Sequence, residues 1–494
     1  MELSVRLRLL ARLLLLPGLL WVSMPGEAVA QDSLQPIGWD SGLKLPEARD
    51  LNPDPRILEI DLDALVAKVE IGPGLSVEAW TYNGGLPGPL IRLKVGDRLI
   101  VHFTNNLPKP STVHWHGVRV PIEMDGVPGI SQPEVQPGGS FTYDFIVPDA
   151  GLFWYHPHVM SAMQVGFGLY GALLVDDPTE RIGVSDELVL VLSDIAIGDD
   201  GKQLPANSGG SGGMAFGREG NYVLANGRLG STMVARSGAP QRWRIVNTAK
   251  THYFNLDVGA GNTFSMIGGD GGLQEYPVES DFLALAPGER ADVIVAPRAG
   301  PEAEIVVRSQ YYDRGYGSIV YRLPEDLFRI VMTKLPAYSG APLPQVRRTI
   351  EPLNTTGATE VKLQLTLRQY PHDLSFEYGF DGIPYWKAKP MLARLGETQV
   401  WTVTNSTPWS HPLHLHGFYF QVLDEEGAPV RPMAWKDTVN IPFKQTLRLV
   451  VRFDDDRPGT WMVHCHILDH AEGGLMTTVR VGDPPPVDFL HGKH

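Results

Sequence analysis

The stretch NNLPKPSTVHWHG, Asn105–Gly117, recurs three hundred residues further on as NSTPWSHPLHLHG, Asn405–Gly417. In both copies an asparagine is followed, nine and eleven residues later, by two histidines and then by a glycine. The frame appears a third time from Asn247 to Gly259, where Leu256 and Val258 replace the two histidines. A pattern that recurs with fixed offsets indicates a structural module that is used repeatedly. The stretch therefore predicts three copies of one module.

A second pattern, later in each copy, supports this division. In the first and third copies a glycine precedes two histidines by five and seven residues, and these glycines are Gly151 and Gly459. In the middle copy Gly300 stands in the same relation to Ile305 and Val307. The middle copy keeps the spacing and has no histidine at these positions. We therefore expect the chemistry to lie in the two terminal copies, with scaffold alone in the middle.

The same sequence predicts the fold class. Short runs such as RLIVHF (98–103) and RWRIV (242–246) are rich in β-branched and aromatic residues and are bounded by Gly, Pro or Asn. The 53 glycines and 41 prolines among 494 residues suit many short strands joined by turns. We predict an all-β protein of three consecutive β-sandwich domains, at about 55–178, 186–345 and 358–484. The glycine-rich stretch 207–217 is predicted to be a flexible surface loop.

Charge and the first thirty residues indicate where the protein works. A formal net charge of −14 argues against a nucleic-acid partner. Residues 1–30 carry three early arginines, the apolar run LLLLPGLLWV and a small-x-small end at Ala28–Ala30, which is typical of a secretory signal peptide. A membrane anchor is the alternative, but Pro17 interrupts an apolar run that is already short. We predict export to the periplasm or the extracellular space, with no membrane span after cleavage and no indicated oligomeric state.

Four histidine clusters carry the candidate chemistry. On a strand, residues two apart share a face, so an HxH pair points two imidazoles the same way. Four such pairs, two from each terminal copy, supply eight nitrogen donors that could converge between those copies. Imidazole suits copper, zinc, iron or nickel, so the pairs alone do not select the metal. The eight histidines are His114, His116, His156, His158, His414, His416, His464 and His466.

The only cysteine narrows the choice of metal. A single cysteine allows no disulfide within the chain, and Cys465 lies between His464 and His466. On a strand its side chain points away from both neighbours, towards a face where His470 and His411 complete a set of one thiolate and two imidazoles. That set is typical of a blue-copper electron-transfer site. A structural zinc site is the alternative, but zinc has no redox use for a backbone that joins two metal centres.

The four motifs HWHG, YHPH, HPLHLHG and HCHILDHAEGGLM resemble the copper signatures of the multicopper oxidases, in their three-domain laccase-like branch. The resemblance covers residues 55–484 and implies three cupredoxin-like Greek-key domains. It implies four coppers per chain: a mononuclear copper held by His411, Cys465 and His470, and a trinuclear cluster between the first and third domains. In the cluster, one copper would take His114 with His414. The two others would take His116, His156 and His466, and His158, His416 and His464.

Three further residues follow from the resemblance. The axial position beside the mononuclear copper, ten residues after the cysteine, is Leu475, where many bacterial relatives have Met; Met476 is the alternative. A leucine there removes a weak donor and should raise the reduction potential. Asp125 matches the acid that supplies protons to the cluster, and its alternative role is that of a turn aspartate. Glu472 is a second candidate for the proton relay, because Ala471 occupies the family's usual position, and its alternative is an exposed charge.

The predicted activity is the one-electron oxidation of phenols or aromatic amines, coupled to the four-electron reduction of dioxygen to water. Cuprous or ferrous ion oxidation in copper tolerance is the alternative that uses the same machinery. A copper nitrite reductase lacks the paired HxH constellation, and a pure electron carrier would leave eight histidines unused. The predicted partners are therefore dioxygen and a small reductant, which is a phenol, an aromatic amine or a metal ion.

Overall fold

The computed structural model describes residues 32–484, except 260, 316–321, 373, 374 and 455. In this part of the chain the strands form six sheets, two in each of three consecutive stretches. The prediction of an all-β protein with three sandwiches is therefore confirmed. The predicted signal peptide, residues 1–30, lies outside the described residues.

The first sandwich contains eight strands and a short helix. They are β1 (Ile57–Gly72), β2 (Leu75–Tyr82), β3 (Ile91–Lys94), β4 (Arg98–Asn105), β5 (His114–His116), β6 (Ser140–Ile146), β7 (Gly151–His156), α1 (Ser161–Gly166) and β8 (Gly171–Asp176). One sheet has the order β2-β1-β4-β6 and the other β3-β8-β7-β5. The strand β1 pairs antiparallel with β2 and parallel with β4. Between β2 and β4 the chain passes through β3, which belongs to the other sheet.

The middle sandwich is the largest. Its elements are β9 (Asp186–Ile195), α2 (Gly210–Phe216), β10 (Tyr222–Ala225), β11 (Ser231–Ala235), β12 (Gln241–Asn247), β13 (Phe254–Asp257), β14 (Phe264–Gly269), β15 (Gly272–Ser280), β16 (Phe282–Leu285), β17 (Arg290–Val295), β18 (Glu304–Ser309) and β19 (Glu325–Met332). The two sheets have the orders β10-β9-β12-β17-β14-β15 and β11-β19-β18-β13-β16.

The third sandwich repeats the plan of the first. Its elements are β20 (Thr359–Gln369), β21 (Phe376–Phe380), β22 (Met391–Ala393), β23 (Thr398–Asn405), β24 (His411–Leu415), β25 (Phe420–Leu423), β26 (Thr438–Ile441), β27 (Thr446–Arg452), β28 (Gly459–Cys465), α3 (Leu468–Glu472) and β29 (Met476–Val481). The sheet orders are β21-β20-β23-β27-β25 and β22-β29-β28-β24-β26.

The repeated asparagine has one structural role in all three copies. Asn105, Asn247 and Asn405 end β4, β12 and β23, and all three are buried. Each side-chain amide donates hydrogen bonds to one carbonyl four or five residues ahead and to another some thirty to forty residues ahead. An asparagine amide has two N–H donors, so it can satisfy two buried carbonyls at once. This bond fixes the loop that leads into the histidine strand.

The middle copy uses the same offsets for packing. Leu256 and Val258 belong to its hydrophobic core, and so do Ile305 and Val307. The core of the first sandwich forms around Trp115, and that of the third around Trp401 and Trp461. The sandwich without histidines therefore uses these positions for apolar packing.

The segments between the sandwiches run at 177–185 and 333–358. Each predicted unit contains one pair of sheets, and the limits 55–178, 186–345 and 358–484 stay a prediction. The prediction of a flexible loop at 207–217 is wrong in part, because residues 210–216 form α2. Ala215 in this helix is buried, and Phe216 packs on the ring of Trp409 at 4.8 Å, so tertiary contacts order a glycine-rich sequence. In the described residues we find no helix with the length and apolarity of a membrane span.

Candidate metal centres

Eight histidine rings meet between the first and third sandwiches. On the first sandwich, His114 of β5 lies opposite His156 of β7. On the third, His414 of β24 lies opposite His464 of β28, so the two sandwiches present the same pairing. Seven of the eight are buried and His158 is partly buried. The histidine pairs of the two terminal copies are thus two halves of one cluster.

The rings from the two halves stack on one another. His114 stacks on His416 with ring centroids 3.9 Å apart, and His116 stacks on His414 at 3.7 Å. His158 and His464 lie at 5.3 Å, again across the interface. The predicted convergence of all eight imidazoles is therefore present in the structure.

Several nitrogens of these rings are buried without a partner. Nε2 of His114, His156 and His414 has no hydrogen-bond partner among the described residues, and neither has either nitrogen of His466. A buried polar atom that is left unpaired costs on the order of 1–3 kcal/mol. Six such atoms in one place would be costly unless something binds them, and Nδ1 of His116 is the sixth. A group of metal ions that accepts nitrogen lone pairs fits this set.

The protonation state of the rings also suits metal binding. Burial lowers the pKa of six of these rings, and neighbouring imidazoles lower it further, so these six are neutral near pH 7. A neutral imidazole has the free lone pair that a metal needs. The pKa lies well below its ordinary value for His116, His156, His158, His416, His464 and His466.

Backbone carbonyls orient four of the rings. In each, Nδ1–H donates to a carbonyl at 2.8–3.0 Å, which turns Nε2 towards the cluster. The carbonyl acceptors belong to Asp125 for His114, Pro157 for His156, Asp437 for His414 and Cys465 for His464. Two of the acceptors follow their histidine directly in the chain, so the motif itself sets the ring orientation.

The predicted ligand sets can be compared with the geometry. The donor atoms of His158, His416 and His464 all lie within 4.8 Å of one another. The rings of His116, His156 and His466 lie 4.9–5.9 Å apart, measured between centroids. His114 and His414 are at 6.0 Å. The assignment of each histidine to one of three metal ions stays a prediction.

Asp125 lies against this cluster. Its carboxylate accepts a hydrogen bond from Nδ1 of His416 at 2.9 Å and lies 3.3 Å from Nδ1 of His114. It is buried, at the end of a 3-10 turn (Ile122–Met124), so it also has the turn position considered as its alternative. The turn position and the contact with the histidines coexist, because the turn delivers the carboxylate to them, and the supply of protons by Asp125 stays a prediction.

A buried ion pair behind the cluster could not be found from sequence patterns. Arg290 at the start of β17 binds Asp437, and the Asp437 carboxylate lies 3.2 Å from Nε2 of His116 and 3.5 Å from Nδ1 of His414. Burial would raise the pKa of Asp437, but the Arg290 guanidinium holds it well below its ordinary value. Asp437 therefore stays ionised beside the cluster, with its charge balanced by Arg290, although no local motif in the sequence marks it.

The structure brings together the three residues of the predicted cysteine site. Nδ1 of His411 lies 3.4 Å and Nδ1 of His470 lies 4.0 Å from Sγ of Cys465, and the two Nδ1 atoms are 3.1 Å apart. All three residues are buried. Burial lowers the pKa of His411 to about 3 and raises that of the Cys465 thiol, so the bare site is uncharged. One thiolate and two imidazoles in this arrangement fit copper.

The two candidates for the axial position, Leu475 and Met476, have different surroundings. Leu475 is fully buried in the same core cluster as Cys465, and its carbonyl accepts the amide of Cys465 at 3.0 Å. Met476 begins β29 opposite His464 and lines a separate cavity. This placement supports Leu475, which stays a prediction.

The edge of His470 is covered. Nε2 of His470 lies 3.1 Å from the carbonyl of Ala215 in α2, and the ring of Tyr378 stacks on His470 at 4.4 Å. The Tyr378 hydroxyl donates to the same carbonyl at 2.6 Å. The sequence gives no indication of either contact, since both partners come from other sandwiches or strands.

Glu472 in α3 is not an exposed charge, so that alternative is wrong. Its carboxylate accepts the amide of Ala162 at 2.8 Å, at the start of α1, and it lines a cavity together with His158. Burial raises the pKa of Glu472 to about 7. The predicted candidate therefore lies between the two helices that flank the cluster.

That cavity has a volume of about 450 Å³. Four aromatic residues, Tyr370, Phe376, Tyr385 and Trp386, form part of its wall. Four methionines from distant parts of the chain also line it, namely Met160, Met214, Met462 and Met476. The sequence contains no methionine-rich segment, so only the fold brings these thioethers together.

Comparisons with known proteins agree with this geometry. The family profile described as multicopper oxidase matches residues 66–180, and a second profile with that description matches residues 354–485. The chain is 32% identical to the multicopper oxidase MmcO of Mycobacterium tuberculosis, over 83% of this chain and 84% of that protein. It is 27% identical to the laccase of Bacillus subtilis, over 82% and 90%.

A solved structure gives the same result for the fold. The structure described as a multicopper oxidase from Campylobacter jejuni, a metallo-oxidase, superimposes with a TM-score of 0.78 and 27% identity, over 89% of this chain and 94% of that one. The three sandwiches are therefore cupredoxin-like, as predicted.

Proposed function

The chain belongs to the multicopper oxidase family, and from this premise we propose that it oxidises a small organic reductant, a phenol or an aromatic amine, one electron at a time. It is an oxidoreductase that uses copper and dioxygen. The single observation that carries the proposal is the pair of buried donor sets joined at Cys465, one with a thiolate and one made of imidazoles.

We propose four coppers per chain. His411, Cys465 and His470 would hold one, and the eight paired histidines would hold three as assigned above. Copper at these sites would supply one-electron redox chemistry at the first site and reduction of dioxygen to water at the second. The unpaired nitrogens of the imidazole set support this fit. Zinc would leave the thiolate site without a redox role.

The chain's own residues would prepare both sites. The backbone of residues 464–466 joins them covalently, because His464 and His466 flank Cys465. The carbonyls that receive Nδ1–H hold the rings in place before any metal arrives, which lowers the cost of binding. Burial of all three side chains at the cysteine site excludes water.

Two carboxylates are proposed to hand protons to the cluster. Asp125 contacts His416 directly, and Glu472 lies on the cavity that reaches His158. A general acid must lie within hydrogen-bond reach of its target or one water away from it. Asp125 meets this condition through His416, whereas Glu472 would act through water in the cavity.

The cavity beside α3 supports an organic substrate, because its aromatic wall suits ring stacking. The four methionines in the same wall favour a second candidate, a cuprous-ion oxidase, since thioethers are soft ligands that bind Cu(I). Both reactions would use the same copper sites and differ only in the reductant.

We also propose that the protein is exported, on the strength of the signal-like residues 1–30. Copper loading would then take place outside the cytoplasm.

Oxygen uptake by the copper-loaded protein tests the proposal. Initial rates with 2,6-dimethoxyphenol, with Cu(I) and with Fe(II) should rank the reductants, and hydrogen peroxide should not accumulate. The variant Met214→Leu removes one thioether at similar volume, while Met391→Leu is a matched control outside the cavity. Loss of the Cu(I) rate alone in Met214→Leu would assign the cuprous reaction. Uptake that yields peroxide, or none with any reductant, would contradict the proposed function.

A further inference from the structure

A second cavity, of about 830 Å³, lies where all three sandwiches and both connecting segments meet. None of the eight paired histidines and no residue of the cysteine site lines it. Its wall includes Arg119 of the first sandwich, Arg242 of the middle one and Asp454 of the third. Residues 177–182 and 345–348 of the two connecting segments complete it. Seven arginines and five carboxylates line this space, in a protein whose formal net charge is −14.

Four of the five carboxylates are already taken up by two arginines. Arg119 binds Asp149 through two hydrogen bonds of 2.7 Å and contacts Asp454 at 3.1 Å. Arg242 binds Asp292 and Glu180 in the same manner. Each of these two arginines thus shares two carboxylates, Arg244 also contacts Glu180 at 3.7 Å, and Asp177 is the fifth carboxylate of the wall.

Three arginines of the connecting segments have no carboxylate within ion-pair distance among the described residues. Arg181 donates only to the carbonyls of Pro178 and Glu180. Arg348 donates only to those of Gly271 and Leu273. For Arg347 the described part of the chain provides neither a hydrogen bond nor an ion pair. The three side chains are exposed, and the seven arginines of the wall exceed its five carboxylates by two charges, so the cavity has an excess of positive charge.

The arginines are held in place by their backbone. Ile182 and Val346, next to Arg181 and Arg347, are buried in one apolar cluster with Ile267 and Ile294 of the middle sandwich. The hydroxyl of Thr179 lowers the pKa of Asp177, and Arg348 and Arg181 both lower it further, so the fields of the two arginines overlap. The anchored backbone limits where these exposed side chains can reach, which reduces the entropy lost when a ligand binds.

We propose that this cavity is a binding site for a phosphate-class oxoanion with at least two negative charges. The planar fork of a guanidinium matches two oxygens of such an anion, and three forks from two segments can surround it. The volume exceeds that of a single phosphate and lies in the range of small-molecule sites, so an extended ligand such as pyrophosphate fits better. The bound anion would bridge both connecting segments. This site is independent of the copper chemistry.

Binding is tested by calorimetric titration of the copper-loaded protein with inorganic phosphate and with pyrophosphate, at an ionic strength held constant with sodium chloride. Copper content is measured after each titration, because pyrophosphate chelates copper. We expect saturable binding of one anion per chain, tighter for pyrophosphate. Comparable affinity for the two would assign a single phosphate group to the site.

Arg347→Gln is the principal variant, because the described residues form neither a hydrogen bond nor an ion pair with that side chain. We expect the variant to bind about tenfold more weakly, because it loses one group that forms charge-assisted hydrogen bonds. Arg181→Gln should act similarly, and Arg394→Gln, which removes the same charge from a side chain that is 86% exposed elsewhere, should not. The proposal is overturned if no saturable binding occurs at constant ionic strength, or if all three variants bind like the parent protein.

Discussion

The ring of Tyr378 stacks on the imidazole of His470, with centroids 4.4 Å apart and planes 26° from parallel. Its hydroxyl donates to the carbonyl of Ala215, which also lies against Nε2 of His470, and accepts a hydrogen bond from Trp409 at 2.8 Å. One side chain thus connects the proposed copper ligand to α2, the helix that covers it.

Tyr378→Phe should lower the free energy of unfolding by about 1–3 kcal/mol, because two buried hydrogen bonds lose their hydroxyl. The visible absorption should remain, since no proposed ligand changes. Urea denaturation and the spectrum of the copper-loaded protein measure the two effects. Tyr370→Phe is the control, because that hydroxyl binds Glu377 in a more exposed place. Equal destabilisation by both variants would contradict the buried role of Tyr378.

Asp437→Asn should destabilise the protein by up to about 3–5 kcal/mol, because the buried guanidinium of Arg290 would lose the closer of its two carboxylate partners and keep only Asp270 at 3.5 Å. We also expect less copper at the imidazole cluster, whose His116 and His414 lose their neighbouring charge, while the cysteine site keeps its copper. Copper analysis and denaturation test this together. Asp326→Asn, in an exposed pair with Arg308, is the matched control and should cost less than about 1 kcal/mol.

Glu219 gives the stability a defined pH dependence. Burial would raise its pKa, but Arg314, His252 and Arg322 lower it to about 2, below the ordinary value. Its contribution is therefore complete above the ordinary pKa of about 4.5 and disappears as the pH falls towards 2.

Glu219→Gln should consequently be less stable than the parent protein at pH 7, by up to about 3 kcal/mol. This difference should shrink as the pH falls from about 4.5, the ordinary pKa of a glutamate, to about 2, the lowered pKa of Glu219. Denaturation curves across this range test the prediction. The exposed Glu351→Gln provides the baseline. A difference that stays constant down to pH 2 would show that Glu219 does not titrate with folding.

Leu475→Met should lower the reduction potential of the cysteine site, because a thioether would approach the metal from the buried side and stabilise Cu(II). A Leu-to-Met exchange conserves volume and should cost less than about 1.5 kcal/mol. Met476→Leu, on the cavity side, should leave the potential unchanged. Redox titration followed in the visible band distinguishes them, and the opposite result would assign the axial position to Met476.

Local spacing was enough to predict the repeated sandwich and its histidine pairs. The offsets from Asn105 and Asn405 are set by a loop whose carbonyls each amide binds, so the same local physics acts in each copy. The burial of Leu256 and Ile305 in the middle core follows from the same frame.

The surroundings of the sites depend on contacts between distant residues. Arg290 and Asp437 are 147 residues apart and share no pattern, yet their ion pair holds the Asp437 carboxylate beside two histidines of the cluster. The four methionines of the cavity, Met160 and Met214 among them, come from three sandwiches. The stretch 207–217 was mistaken for a loop because its glycines disfavour a helix, whereas Ala215 and Phe216 gain enough packing to order it.

The most direct test of the account is the copper content and visible spectrum of the parent protein beside Cys465→Ser, each loaded with Cu(II) under the same conditions. We expect four coppers per chain and a band at about 600 nm in the parent protein, and three coppers with no such band in the variant. A band that survives the loss of the sulfur, or a parent protein that binds copper without one, would contradict the central claim.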